Sequence, residues 1–539
     1  MRSMNQHLAV IVAIGLLAPA AARAEILEAS PGDDIESMIN GLGPGDELIL
    51  HGGEYTLNER FSFDIAGTEA APIVIRAADG EVPHLHRPNA NQNIIDIDNA
   101  VFVVLSGIEF SGGSAGVRIS GATNLTIEDC EIHDTEDVAL RANDSGVTYD
   151  SLRILHNHIH DTGGTGEGMY LGCNNDGCRV ANSLIEGNYV HHTNGPSVSQ
   201  GDGIELKEGS HSNVIRDNVI HDTGYPCILT YSTVGNGRAN VIERNVMWSC
   251  GDHAIQSAAD ATIRNNIILG SNADGLAMQP HQSGAPSNLV VVHNTIIHPT
   301  NDAISLRGTT GSVVIANNAL YAQSGSAIYV NGGSLGEVTM VGNAGVGGIS
   351  GFDATFIAGD ISADFVDGHY GGAPPIDLFP AAGGALPGAG DPAYVADDDF
   401  NGTPRGGVAD IGAYAFSADG NPGWTIAEEF KGVTAAPADG DADADGDGDG
   451  DGDGDGDADG DGDGDGDADG DGDADGEGDS DGDGDGDSDG DSDSDGDSDS
   501  DSDGDGCECR ASGPGQDPAC LVVALGLLTT AFVWRRLGR

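Results

Sequence analysis

Basic residues are scarce in this 539-residue chain. Lys and Arg together number 21 against 88 Asp and Glu, for a formal net charge of −67 at pH 7. Contacts to nucleic-acid phosphates need Lys and Arg, so this balance argues against a nucleic-acid partner. Lysine is rarer still, since Lys207 and Lys431 are the only two. An amine can lose its proton whereas a guanidinium cannot, which makes Lys207, in the middle of the chain, a candidate base.

The N-terminus predicts export. Arg2 precedes an apolar run at residues 8–17, and an A-x-A motif at residues 22–24 stands ahead of Glu25. This order is typical of a secretory signal peptide. Residues 1–24 are therefore predicted to be removed, which leaves the mature chain outside the cytoplasm.

Between residues 439 and 506 an acidic residue occupies every second position, 34 in all, separated by Gly, Ala or Ser. Such a segment has no apolar face to bury and repels itself, which predicts a disordered spacer joined to the preceding domain by a linker at residues 417–438. The repeated D-x-D-x-D-G is similar to calcium loops, but the bidentate Glu that closes an EF-hand loop is missing. Weak, delocalised Ca²⁺ binding is the alternative to a plain charged spacer.

The last 33 residues contain Cys507 and Cys509, an apolar run at residues 519–534 and a terminal cluster of three arginines. This order resembles the myxobacterial-type C-terminal sorting signal. The resemblance implies insertion of a transmembrane segment, processing by a sorting protease near the two cysteines, and retention at the cell surface. An ordinary C-terminal membrane anchor is the alternative, and with either one residues 25–438 lie outside the cytoplasm.

The middle of the chain repeats one pattern, apolar-x-x-Asn-x-apolar. Its asparagines are Asn157, Asn188, Asn218, Asn245, Asn266, Asn294 and Asn318, spaced 21 to 31 residues apart. A repeat of this length is typical of a solenoid. The short runs between them alternate with period two and favour β-branched residues, so the coils are predicted to be β-strands rather than helices. Asn tolerates left-handed backbone and can bond to its equivalent one coil on, which predicts an asparagine ladder at a corner.

A helix is predicted ahead of the first coil. Ile35, Met38, Ile39 and Leu42 follow the spacing i, i+3, i+4 and i+7 within residues 33–42, which predicts an amphipathic capping helix. A strand at Glu47–Leu50 follows.

From this point the sequence resembles the right-handed parallel β-helix superfamily, which includes pectate lyases, chondroitinase B-like and alginate lyases, and polygalacturonases. The stretches GDELILHGGEYTLNE and GTEAAPIVIRA are particularly similar to the first coils of the chondroitinase B and alginate lyase family. The resemblance covers residues 30–345 and implies an all-β fold, a right-handed parallel β-helix at residues 25–345. Residues 346–416 contain DDDFNGTPRGGVADIGAYAF, similar to the tails of secreted β-helix proteins, and are predicted to close the solenoid.

Candidate site residues emerge when the coils are aligned on the asparagines. In the strand GDGIELK, Ile204 and Leu206 are predicted to point inward, which turns Glu205 and Lys207 outward on one face. Neighbouring coils offer Tyr170 and Gln256 beside Glu205, and Tyr231 beside Lys207. A second column is Glu136, Glu167, Asp202, His253, Asp274 and Asp302. The long loops at residues 163–183 and 193–202 would wall a groove here.

Stacked carboxylates repel one another unless a cation lies between them. Glu167, Asp202 and Glu205 are therefore predicted to bind Ca²⁺, which would neutralise the carboxylate of a uronate polysaccharide and so permit β-elimination. Lys207 would then act as the base and Tyr231 as the acid that protonates the leaving group. Tyr170, His253 and Gln256 are predicted to contact the substrate.

Resemblance to chondroitinase B-like lyases supports this assignment only in part. That family has an E-x-E calcium pair, then a Lys base, then an Arg about one coil later. The pair maps here to Asp202 and Ile204, so Glu205 must substitute, and the Arg position falls near Thr230 and Tyr231. The polygalacturonase signatures and the R-x-P-x-x-R of classical pectate lyases are absent.

Two other functions compete with the lyase. In a non-catalytic glycan-binding or adhesin-like surface protein, Lys207 would be a salt-bridged surface residue. In a glycoside hydrolase, Asp202 and Glu205 would be the acid pair, which requires a defined separation across a cleft.

Histidines and cysteines complete the candidate residues. His133, His160, His191 and His221 fall at one coil-equivalent position. Zinc needs ligands that converge on a point, whereas coil-equivalent residues form a line, so a structural ladder is predicted. In an exported protein Cys173 and Cys178 predict a local disulfide. No pairing can be predicted for Cys130, Cys227 and Cys250.

Overall fold

A computed structural model of the chain describes residues 24–331 and 335–432. The predicted signal peptide, the acidic spacer, and the sorting signal with Cys507, Cys509 and the transmembrane segment lie outside the described residues. Among the residues described, no helix is long and apolar enough to span a membrane.

The chain winds into coils whose strands stack in parallel on three faces. The first face consists of Ser62–Ala66, the start of Ile95–Ser106, Val117–Ile119, Leu140–Ala142, Met169–Leu171, Ile204–Leu206, Ile228–Thr230, Ile255–Ser257, Leu276–Met278, Ile304–Arg307, Ile328–Asn331 and Ile349–Ser350. The second face consists of Ile26–Ala29, Glu47–Leu50, Ile73–Ala77, the end of Ile95–Ser106, Ala122–Glu128, Thr148–Asp150, Arg153–Leu155, Arg179–Ala181, Leu184–Glu186, Val214–Arg216, Asn240–Glu243, Ala261–Arg264, Leu289–Val292, Val313–Ala316 and Val338–Val341. The third face consists of Gly53–Thr56, Pro83–Arg87, Glu109–Gly112, Glu131–His133, His158–His160, Tyr189–Thr193, Val219–Thr223, Val246–Cys250, Ile267–Ile268, Thr295–His298, Ala319–Ala322, Ala344–Val346 and Ile357–Ala358.

The interior is a continuous apolar column. On the first face Met169 pairs with Ile204, and Ile204 pairs with Ile228, so these inward side chains stack on one another one coil apart. All three are fully buried in the core. Parallel strands joined by crossovers wind right-handed almost without exception. The predicted all-β parallel β-helix is thus confirmed, as is the strand at Glu47–Leu50.

The asparagine ladder forms as predicted. Asn188 Oδ1 accepts from the backbone N–H of Asn157 at 2.9 Å and from its Nδ2 at 3.0 Å, and this pattern repeats along the corner. Cys130 begins the series by donating its N–H to Asn157 Oδ1 at 3.1 Å. The left-handed backbone, however, lies one residue earlier than predicted: Asp217 and Arg244, not the asparagines that follow them, have φ of 57°. The side-chain amides of the ladder therefore form hydrogen bonds with backbone groups at the corner, while the preceding residue adopts the left-handed backbone that turns the chain.

Replacing Asn245 with Ala should destabilise the protein by at least about 2 kcal/mol, because buried donors left without partners cost about 1–3 kcal/mol each. Asn245 Oδ1 accepts from Asn218 at 3.0 and 2.9 Å, and its Nδ2 donates to Ile215 O at 2.9 Å. Urea unfolding measures the loss. Asn194→Ala, at an exposed position, is the control and should lie within about 0.5 kcal/mol of wild type. Equal stabilities for the two variants would contradict a structural role for the ladder.

Short helices lie at Ile35–Ile39 and Ile361–Asp364, with 3-10 turns at Asn174–Asp176 and Pro392–Tyr394. The first is half the length predicted for residues 33–42. Ile35 and Ile39 are buried in the core, but a role for this helix as a cap stays a prediction.

The C-terminal segment differs from the prediction. After the last coil, residues 359–432, which include the antiparallel pair Phe365–Asp367 and Asp377–Pro380, run back along the third face. Successive contacts reach ever earlier coils: Tyr321 with Asp364, Asn265 with Asp398, and Asp217 with Lys431. Most of this segment therefore covers the side of the solenoid rather than its end. Residues 417–432, predicted to be linker, are part of this packing, since Ile426 and Lys431 are 3% exposed.

Candidate functional site

The predicted outward residues lie together on the first face. Tyr170 pairs with Glu205, and Glu205 with Leu229, while Ile204 and Leu206 on the same strand face the core. Glu205 is 1% exposed and Lys207 is 6% exposed. Lys207 is therefore not a solvated surface lysine, but its Nζ is salt-bridged to Glu205, as the non-catalytic interpretation also predicts.

Two loops cover this part of the first face. Gln282 Nε2 donates to Asn174 Oδ1 at 2.9 Å across 108 residues of sequence. The ring of His281 stacks on Tyr231 with centroids 4.9 Å apart. A disulfide joins Cys173 and Cys178 in the facing loop. His281 was not among the predicted residues, and the one available signal was the long connection between the strands Leu276–Met278 and Leu289–Val292.

Three buried carboxylates converge beneath this cover. Oxygens of Glu167, Asp202 and Glu205 lie within 4.8 Å of one another. Register explains the meeting, because Met169 pairs with Ile204 and so places Glu167 beside Asp202. In each of the three groups one oxygen, Glu167 Oε2, Asp202 Oδ1 or Glu205 Oε2, is buried without a hydrogen-bond partner. Buried carboxylate oxygens are rarely left in this state unless something else binds them.

Glycine permits this close approach. A Cβ at Gly168 would come within 2.7 Å of Gly203 O, and one at Gly203 within 2.5 Å of Cys227 O. Any larger residue between the acids would push the coils apart. The same register shows that Glu136 does not belong to the acidic column, since Leu140 pairs with Met169 and Val138 is then the equivalent of Glu167.

The electrostatics of the site follow from burial and from the crowding of like charges. Burial, with the Glu205 and Glu167 carboxylates, raises the pKa of Asp202 well above its ordinary value, and burial also raises the pKa of Glu167. Burial alone would lower the pKa of Lys207, but the Glu205 carboxylate and Tyr170 outweigh it and raise that pKa. With all four groups ionised, three carboxylates and one ammonium leave a net charge of −2.

Lys207 is held by an acid and two aromatic rings. Its Nζ lies 2.6 Å from Glu205 Oε1 and 3.5 Å from the hydroxyl of Tyr231. It also lies 4.6 Å from the ring centroid of Tyr170 and 5.1 Å from that of Tyr231. Tyr231 donates its hydroxyl hydrogen to Glu205 Oε1 at 2.9 Å, and burial together with Glu205 raises the pKa of Tyr231. The predicted base and acid are thus adjacent, and both contact the same carboxylate.

The other predicted residues lie farther along the face. Gln256 pairs with Leu229, which in turn pairs with Glu205, so Gln256 lies two coils from Glu205. Its Oε1 accepts a hydrogen bond from Gln279 Nε2 at 3.0 Å. His253 is buried, and its Nδ1 accepts from the Asp274 N–H at 3.0 Å. Both side chains are engaged within the protein.

One acid was missed as a candidate. Glu208 is 1% exposed, and neither carboxylate oxygen has a hydrogen-bond partner. Its sequence signal was its position directly after Lys207.

Histidines form the predicted ladder on the third face, away from this site. His133, His160, His191 and His221 stack with successive centroids 5.1 Å apart, and His221 stacks on Trp248 at 4.4 Å. A second disulfide, Cys227 to Cys250, joins neighbouring coils, while Cys130 is free and buried.

Residues 20–262 match a family model described as the Pel9A-like, right handed beta helix region. No curated protein matches the chain significantly. Among solved structures, an alginate lyase from Paenibacillus sp. str. FPU-7 is 18% identical with a TM-score of 0.36, and covers 62% of this chain and 98% of its own. Pectate lyase Pel9A is 15% identical with a TM-score of 0.41 (73% and 96% covered), and the Azotobacter vinelandii mannuronan C-5 epimerase AlgE4 A-module is 14% identical with a TM-score of 0.37 (58% and 91%). The coil geometry and the match at residues 20–262 together identify the fold as a right-handed parallel β-helix.

Proposed function

We propose that this protein binds a uronate-containing polysaccharide on its first face and cleaves it by β-elimination. The observation that carries the proposal is the meeting of a buried lysine amine with three carboxylates, each of which has one buried oxygen without a hydrogen-bond partner. The matched family model is named for Pel9A, whose solved structure is described as that of a pectate lyase, which also supports it.

The residues fit a divalent calcium ion. Ca²⁺ prefers carboxylate oxygens, and Glu167, Asp202 and Glu205 offer three that are otherwise unsatisfied. The net charge of −2 would be balanced by one dication. When bound, the ion would supply charge neutralisation of the sugar carboxylate, which makes the neighbouring C–H more acidic.

Lys207 acts as the base of the reaction and Tyr231 as the acid. Lys207 Nζ takes the proton from the carbon next to the sugar carboxylate, and the electron pair left behind forms a double bond as the glycosidic C–O bond breaks. Tyr231 gives its hydroxyl proton to the departing oxygen, and its raised pKa keeps it protonated until then. Glu205 Oε1 lies 2.6 Å from Lys207 Nζ, and its negative charge favours the protonated form of the lysine. The amine can therefore act as a base only when another positive charge neutralises the Glu205 carboxylate.

One observation favours glycan binding without turnover. Lys207 is 6% exposed and its ammonium is paired with Glu205, as in a purely structural ion pair. A hydrolase is supported less, because the Asp202 and Glu205 oxygens lie within 4.8 Å, closer than the roughly 5–9.5 Å between the catalytic acids of glycosidases.

The proposed site of action is the outer face of the cell envelope. A signal peptide at residues 1–24 and a sorting signal at residues 507–539 would export the protein and anchor it through its C-terminus, with the acidic spacer holding the β-helix clear of the surface.

A substrate screen tests the activity. Polygalacturonate, alginate and glycosaminoglycans should be incubated with the protein in Ca²⁺ or in chelator, and near-ultraviolet absorbance should rise in Ca²⁺ alone because elimination leaves a conjugated double bond. Retention of a glycan without absorbance would favour the binding protein. New reducing ends without absorbance would favour the hydrolase.

Calcium binding is tested separately by calorimetry and thermal unfolding. Ca²⁺ at a hundredfold excess over its Kd should stabilise the protein by about 2.7 kcal/mol, and Asp202→Asn should lose this effect. Asp302→Asn, in the same column but several coils away, should keep it. Equal calcium affinity in the two variants would contradict the proposed ligands.

A further inference from the structure

A second polar feature lies on the first face, on the coils that precede the carboxylates. It is a pocket of about 570 Å³ whose lining includes Arg60, Asp96, Arg118, Arg141 and Asp144. This volume is in the range of small-ligand sites. We name it the arginine pocket.

Register aligns the arginine pocket with the proposed site. Arg118 pairs with Arg141, Arg141 with Tyr170, and Tyr170 with Glu205. Each step is one coil of about 4.8 Å, so Arg141 and Glu205 are about 10 Å apart along the axis. A polysaccharide lying along the face would therefore pass both positions.

The arginine pocket is positive in an otherwise acidic protein. Three guanidinium groups face two carboxylates in its lining, for a net charge of +1. Asp96 Oδ2 accepts from Arg60 Nε at 3.1 Å, and Asp96 Oδ1 lies 3.5 Å from Arg118. Arg118 is also paired with Asp144 at 2.7 Å. The charges of Arg60 and Arg118 are thus neutralised by carboxylates of the protein itself.

Arg141 is not balanced in this way. Its Nε is buried without a hydrogen-bond partner, and its ion pair with Asp137 is 3.9 Å long, beyond hydrogen-bonding distance. Gln92, also in the lining, has a buried Oε1 without a partner. One donor, Arg141 Nε, and one acceptor, Gln92 Oε1, are therefore both buried without partners in the lining of one polar pocket.

We infer that the arginine pocket is a subsite that binds the carboxylate of a second uronate in the same glycan chain. A guanidinium matches a carboxylate with two parallel hydrogen bonds, and Gln92 Oε1 is positioned as acceptor for a donor such as a sugar hydroxyl. This inference rests on the proposed function and extends it, since it assigns the substrate a course along the axis from Arg141 past Tyr170 to Lys207.

The test measures binding without turnover. Full-length Lys207→Ala protein is titrated with hexamers of galacturonate and of alginate, and with the same hexamers after reduction of their carboxyl groups. Adding Arg141→Gln should weaken binding of the acidic hexamer roughly tenfold to hundredfold, the range for a hydrogen bond to a charged group. Binding of the reduced hexamer should not change.

Two further variants control for charge and folding. Arg153→Gln removes the same charge from an exposed position on the second face and should leave binding unchanged. Arg141→Lys keeps the charge but loses the fork, and should bind with intermediate strength. Thermal unfolding should change little in Arg141→Gln, because the ion pair that is lost, with Asp137, is 3.9 Å long.

Several results would overturn the inference: no binding of either acidic hexamer, an equal loss in Arg153→Gln, or an equal loss for the reduced hexamer. Its failure is distinguishable from that of the lyase. Unsaturated product formed by wild-type protein with an unchanged KM in Arg141→Gln would remove the subsite alone. Carboxylate-dependent binding that needs Arg141, without any product from wild-type protein, would remove the lyase alone.

Discussion

Replacing Lys207 with Arg should lower kcat for β-elimination by about 10²- to 10⁴-fold, the usual contribution of a general base. In the wild-type protein Lys207 Nζ lies 2.6 Å from Glu205 Oε1. Arginine at this position keeps the positive charge beside Glu205 but cannot give up its proton at neutral pH. Initial rates of near-ultraviolet absorbance on the substrate found by the screen measure the loss.

Lys207→Ala is the companion variant. It should lose activity to a similar extent, yet both variants should still retain the glycan, because the arginine pocket and the carboxylates are unaltered. Activity in Lys207→Arg within a few-fold of wild type would exclude Lys207 as the base. Loss of both binding and activity in both variants would instead indicate that Lys207 holds the site together.

Replacing the other lysine should cost stability rather than activity. Lys431 is 3% exposed, and its Nζ donates to Asp217 Oδ1 at 2.7 Å, to Phe400 O at 2.7 Å and to Arg244 O at 2.9 Å. Nζ also lies 3.6 Å from the ring centroid of Phe400. Lys431→Met should destabilise the protein by at least about 3 kcal/mol, because Asp217 Oδ1 and the carbonyl oxygens of Phe400 and Arg244 would each lose a hydrogen-bond donor, at a cost of about 1–3 kcal/mol each. Urea unfolding measures the change, and activity below the transition should be normal.

A partly exposed ion pair is the control for that variant. Arg216 lies 2.9 Å from Glu186, with side chains 34% and 29% exposed, so Arg216→Met should cost at most about 1 kcal/mol. A Lys431→Met variant as stable as this control would show that the C-terminal segment is not clamped by the lysine.

The effect of Lys431→Met should also depend on pH. Burial tends to raise the pKa of Asp217, but Lys431 and Arg244 outweigh it and hold that pKa below its ordinary value. A carboxylate with a lowered pKa stabilises the folded state above the unfolded-state pKa of about 3.9, and this stabilisation is lost as the pH falls through the folded-state value. The difference between wild type and Lys431→Met should therefore narrow below about pH 4.

Residues of the candidate site could be predicted where they lie on coils that follow the repeat. Glu205 and Lys207 could be assigned to one face because side chains alternate along a strand, and Tyr170 and Tyr231 followed because coils stack in register. The alignment failed before residue 157, where Cys130 replaces Asn in the ladder and the asparagine pattern ends. For that reason Glu136 was misplaced and Arg141 was overlooked.

Contacts between segments that are distant in sequence cannot be predicted from the repeat pattern of the coils. His281 reaches Tyr231 through a connection whose length, but not whose path, can be read from the sequence. The Cys227–Cys250 bond joins two coils at positions that match no repeat unit. Sequence alone cannot rank such pairings, because each depends on the direction in which a loop leaves the solenoid.

The sequence by itself determined the parallel β-helix, since an apolar and asparagine pattern with one coil per repeat can be satisfied only by stacking each coil on its neighbours. Only the tertiary structure decided how deeply Lys207 is covered, which carboxylates converge, and that Lys431 binds Asp217 across 214 residues. The physical reason is that repeats specify contacts between neighbours in sequence. Loops and a non-repetitive tail reach their final contacts only after the solenoid has formed a surface to pack against.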